Sequence, residues 1–142
     1  MEKSGWQYFA LGSAFFAALT AVLAKVGVAD INSNLATLIR TAVIGAMTAL
    51  IITWRGEWEP LNKLSGRGVL FLCLSGVATG LSWLCYYRAL QGGPASKVAP
   101  LDKLSVALVI VLAWVFLGEP LTWRVLVGGT LVVVGALTLA TT

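Results

Sequence analysis

The sequence predicts an all-α integral membrane protein, a bundle of five transmembrane helices, on three observations. Hydrophobic residues fill 58% of the 142 positions and charged residues 11%, against roughly 25% charged in a soluble domain. The mean hydropathy of +0.89 is spread over the whole chain, in runs near the length of about 20 residues that crosses hydrocarbon. Short segments rich in Gly, Pro, Asn and Asp separate those runs. The net charge of +4 lies in the connections and at run ends, which reads as a membrane topology signal rather than a nucleic-acid surface. With no His and two Cys, His acid/base chemistry, His metal sites and a disulfide scaffold drop out, and no cofactor is implied.

The first run, 6–29, follows Met1, Glu2 and Lys3 rather than a basic leader and exceeds the length of a signal-peptide core, so it reads as a span. Asp30, Asn32 and Asn34 separate it from the second, 35–54. A polar connection from Gly56 to Gly68 leads to the third, 68–91, which Gly92, Gly93 and Pro94 close. The fourth, 97–117, ends at Gly118, a helix stop, with Glu119 as a boundary residue and Pro120 beyond it. The fifth is 124–141. Residues 1–142 thus read as one transmembrane domain.

An odd number of spans puts the termini on opposite sides, side A holding the N-terminus and side B the C-terminus. Lys3, Arg55, Lys63, Arg67 and Arg124 fall on side A, and the positive-inside rule makes that side cytoplasmic. Trp6, Trp54, Trp58, Trp114 and Trp123 form an aromatic belt there, while Trp83 sits well inside span three.

Charges inside hydrocarbon are costly and mark interior cavities or function. At a rise of 1.5 Å per residue, Lys25, Arg40, Arg88, Asp102 and Lys103 lie about 5 to 12 Å from the side B boundary, so four helices feed one polar layer. Arg88 and Lys97 read first as snorkelling residues; Asp102 has too short a stem, and Arg40 is too deep. Trp83, Tyr86 and Tyr87 sit level with this layer, where their rings can stack on a substrate or a cation. Pro100 predicts a kink or break in span four, and broken helices line transporter sites. Beyond it Asp102 and Ser105 share a face, and Lys25 or Arg40 is the expected partner of Asp102, since helix neighbours such as Lys103 face apart. Gly76 and Gly80 form a GxxxG pair, and Gly128, Gly129 and Gly135 offer close packing to a second copy. Cys73 and Cys85 are about 18 Å apart along one helix and cannot pair.

The stretch YYRALQGGPASKVAPLDKLS (86–105), then FLGEPLTW (116–123) and GGTLVVVGAL (128–137), with Lys25 and Arg40, resembles the EamA-type domain of the drug/metabolite transporter superfamily. The resemblance implies half of a ten-helix, inverted-repeat transporter of small metabolites or drugs, completed by a homodimer, antiparallel, in the inner cell membrane. It lends no substrate. The small multidrug relatives carry a key carboxylate in their first helix, where this chain has Lys25. Four bases to one acid favour an anionic or zwitterionic solute, with membrane lipid as a further contact. An acid in such a layer can couple solute to protons. A lipid-linked substrate flippase or an accessory subunit of a larger complex is the alternative, and a membrane enzyme lacks the groups it would need.

Overall fold

The computed structural model describes residues 5–141 and is all-helical among them; Lys3, placed on side A above, lies outside that range. Helices α1 (Trp6–Gly27), α2 (Ser33–Arg55) and α3 (Gly66–Gly92) are followed by a broken span, α4 (Ala95–Asp102) and α5 (Ser105–Leu112), and by α6 (Trp123–Thr141). Five segments are long and apolar enough to cross a membrane, the fourth being Ala95–Leu117, and their ends fall close to the expected boundaries.

Local chemistry sets those ends. Asn32 caps α2 by accepting the Asn34 N–H at 2.9 Å, as a short amide side chain does for an orphan donor. Gly56, at φ 65°, ends the same helix, with Glu57 N–H donating to Ile52 O at 3.0 Å and Gly56 N–H to Thr53 O at 3.2 Å. That is a Schellman motif, whose left-handed residue is glycine because any Cβ there would be strained. Gly118, at φ 67°, stops the fourth span as expected. Thr122 begins α6 by accepting the Val125 N–H at 3.3 Å.

Inside the spans the hydroxyls turn back on their own helices. Thr20, Thr48, Thr79 and Thr138 donate to the carbonyl four residues earlier at 2.7 to 2.9 Å, which satisfies them where lipid offers no partner.

The fourth span breaks, though three residues beyond the proline. Pro100 lies within α4 and has no N–H for the Ser96 carbonyl. The chain then tightens to i→i−3 bonding: Lys103 N–H to Pro100 O, Leu104 to Leu101 and Val106 to Lys103, each at 3.0 Å. Lys103 and Leu104 stay right-handed, so the break is an overwound turn. At its other end α5 runs into a π-helical turn, Ala113–Leu117.

The chain divides into two compact units, 1–25 with 92–142, and 26–91. In the first, α6 packs against α4 and α5. Gly129 makes that contact close, since a Cβ there would stand 2.8 Å from Ile110 Cδ1. The missing side chain of Gly129, expected to serve a second copy, seats a neighbour in the same chain. Gly128 and Gly135 have nothing within 4 Å of a Cβ position. Beside the contact is an apolar hollow of about 230 Å³ lined by Ala107, Val111, Val125, Leu126, Thr130 and Val133 among others. In the second unit, Val28, Ser33, Thr37, Tyr87 and Leu90 are buried, all near the α1–α2 connection or the end of α3. Gly76 and Gly80 also have open space at their Cβ positions, with no described residue within 4 Å of either. Cys73 and Cys85 are free.

Gly129→Leu is expected to force α5 from α6 and lower thermal stability in detergent by about 1 to 3 kcal/mol, the cost of overpacking. Adding Ile110→Ala should restore most of the loss; equal stability of Gly129→Leu and the parent would show that the contact is not tight.

Candidate functional site

Each unit carries its own share of the predicted polar residues. In the unit 26–91, α2 presents Ser33, Thr37 and Arg40 along one side, at spacings of four and three residues that return to the same face. Ser33 and Thr37 are buried polar positions, and the hydroxyls of Thr37 and nearby Thr41 are satisfied internally: Thr37 donates to Ser33 O at 2.9 Å and Thr41 to Thr37 O at 2.8 Å. Arg40, half-buried, lies over Trp83, with Cζ 3.2 Å from the ring centroid. The contact is a cation–π stack, favourable where water is scarce.

On α3, positions 83, 86 and 87 share a face, and their rings form a cluster. Trp83 meets Tyr86 at 5.3 Å and Tyr87 at 5.5 Å between centroids, with interplanar angles of 76° and 87°. These edge-to-face contacts hold the indole from two sides. Tyr87 is 4% exposed and anchors the group. Thus Trp83, expected to offer its ring to a solute or a cation, holds a cation from its own chain. Arg88, one residue on, is exposed and stands outside the cluster.

The same unit contains a tie that the sequence did not flag. Gln91 Nε2 donates to Val28 O at 3.2 Å and to Ile31 O at 2.9 Å, pinning the end of α3 to the α1–α2 connection. Those carbonyls follow a helix C-terminus and lack helical donors. A lone polar residue beside Gly92 and Gly93 was the available signal.

In the other unit, Lys25 Nζ donates to Gly93 O at 2.9 Å, so its ammonium covers a carbonyl in the α3–α4 connection. Asp102 pairs with Lys103 at 3.3 Å, both side chains at least a third exposed. The expected partners were Lys25 or Arg40. The neighbour reaches it because the overwound turn begins there, and the rule that adjacent helical residues face apart assumes an unbroken helix. Ser105 is exposed at the start of α5. Among the described residues no cluster of three or more His, Cys, Asp or Glu is placed to hold a metal.

An arginine stacked on Trp83 within one span and an acid at the break of another are the charged groups this geometry places at depth. A family model described as EamA-like transporter family matches residues 4–141. The chain belongs to the EamA-like transporter family. An uncharacterized transporter in the cobO 3′ region of a Sinorhizobium species is 55% identical over 138 residues, 97% of this chain and 98% of that protein. An uncharacterized protein of Methanocaldococcus jannaschii is 28% identical over 98 residues, 69% of this chain and 70% of that one. No solved structure matches. This EamA-like chain is therefore a membrane transporter, and the resemblance read from residues 86–137 is borne out.

The polar ties predict a contrast in thermal denaturation. Lys25→Met and Gln91→Leu each orphan main-chain carbonyls and should lower stability by about 1 to 3 kcal/mol, while Arg88→Met should leave it unchanged. Equal melting of all three variants would remove the ties from the account.

Proposed function

We propose that this protein is a secondary transporter that moves a small anionic or zwitterionic metabolite across the inner cell membrane by alternating access, as an antiparallel homodimer. The observation that carries the reading is Arg40: a guanidinium fixed on Trp83 within a membrane-spanning segment. A charge at that depth is expensive to maintain. None of the carboxylates of its own unit, Asp30, Glu57 and Glu59, pairs with it among the described residues, and Glu57 is held by Arg55 at 2.8 Å. A cation so placed favours a solute with negative charge.

Asp102 is the coupling candidate. It lies at the break of the fourth span, paired only as far as an exposed ion pair holds, and such pairs are worth about 1 kcal/mol or less. The homodimer follows from family architecture, in which two five-helix domains complete one transporter; Gly128 and Gly135 leave α6 open for a partner, as small residues do in membranes. Alternating access then needs two states of differing solute affinity.

Purified protein in lipid vesicles, tested by counterflow with panels of carboxylated, zwitterionic and cationic solutes, checks the reading. Exchange is expected for the first two panels, with Arg40→Ala lowering it by about 30-fold or more, the loss of a half-buried charge contact. Asp102→Asn should abolish the response to an imposed pH gradient. Exchange confined to cations, or none from any panel, overturns the proposal, and the second result would favour an accessory subunit.

A further inference from the structure

The stack on Trp83 fixes more than the position of the Arg40 charge. A Cζ atom 3.2 Å from the ring centroid is reached only by a guanidinium lying flat on the indole, because an end-on approach would drive its nitrogens into the ring. The five N–H donors of arginine all lie in the guanidinium plane. Trp83 therefore covers one face and none of the donors, which radiate from the edge. The indole is itself held, at 76° and 87°, by Tyr86 and buried Tyr87, so the plane of the fork is set before any ligand arrives. The hydroxyls of Thr37, one turn earlier, and of Thr41, the next residue, spend their protons on carbonyls of α2. Arg40 is thus the charged donor on this face of α2.

We infer that the edge of Arg40 is a binding site for a planar two-oxygen anion, a carboxylate or one face of a phosphate, and that Trp83 is a positioning residue that sets the plane of the fork. The inference deepens the transport reading and rests on it for the solute's route. A fork and a carboxylate match in two parallel hydrogen bonds, a geometry that lysine cannot reproduce. A halide of equal charge meets only a single point of contact. Trp83 does not touch the solute, because its face is already occupied. Specificity then lies in the shape of the acceptor group, with charge alone insufficient.

Arginine modification by phenylglyoxal, read peptide by peptide in a mass spectrometer, tests this without a transport assay. The reagent must reach two guanidinium nitrogens, so an oxyanion on the fork blocks it. With the full chain in phosphatidylcholine vesicles, succinate or inorganic phosphate should slow modification of Arg40 about tenfold relative to chloride at equal ionic strength, the equilibrium weight of one charge-assisted hydrogen bond. Arg55, Arg67, Arg88 and Arg124 serve as internal controls and should not respond. Trp83→Leu should remove the preference for oxyanion over chloride in protein still folded at the assay temperature, and Trp83→Phe should keep it. Protection by phosphatidylglycerol vesicles alone would support the site and assign its oxyanion to a lipid headgroup; protection by succinate or phosphate in phosphatidylcholine assigns it to a soluble solute. Equal protection by chloride, or an Arg40 rate indifferent to every anion, overturns the inference. Flux without protection would defeat the fork and spare the transport reading, and protection without flux would do the reverse.

Discussion

Hydrocarbon supplies no hydrogen bonds, and the arrangement of this chain follows from that. Every polar group carried into a span must find its partner within the protein. The threonines of the spans do so by bonding the preceding turn of their own helix. The carbonyls exposed where helices stop need longer reaches, and Lys25 and Gln91 supply them. Arg40 cannot be satisfied by its own helix, and the aromatic group on α3 stabilises it through a ring face. The same demand explains why charged residues are few.

From this it follows that polar residues in such a chain divide by what they satisfy. Lys25 and Gln91 serve the backbone and are tied to the fold. Arg40 and Asp102 serve no backbone group: one is held by a π-face and the other by a neighbour in sequence. Residues whose intramolecular partners are weak or non-directional keep directional bonds in reserve, which is the requirement for reversible binding. The chain belongs to the EamA-like transporter family, and Arg40 and Asp102 are the residues on which the transport proposal rests.

The spans were legible because crossing a bilayer demands a length and an apolarity that composition displays directly. The helix stop at Gly118 was legible too, since a left-handed backbone selects its residue type. The depth of Arg40 and its level with Trp83 could be counted along helices. Their stacking could not, because it depends on how two helices are rotated toward one another. The partner of Asp102 was missed for a related reason: the expectation assumed a regular helix, and the chain tightens at Lys103. Gly129 looked like its neighbour Gly128, and only the position of Ile110 distinguishes a seat within the chain from an open face. Gln91 offered only its polarity beside two glycines as a signal, and its partners are main-chain atoms, which have no sequence signature.

The two irregular turns that flank α5 are opposite in sense. The chain is overwound at Lys103–Ala107, where carbonyls bond three residues ahead, and underwound at Ala113–Leu117, where a wider turn takes up an additional residue. The tighter turn rotates the chain further per residue than an α-helix does and the wider turn rotates it less, so the two depart from regular winding in opposite directions, with Ser105–Leu112 as the regular stretch between them.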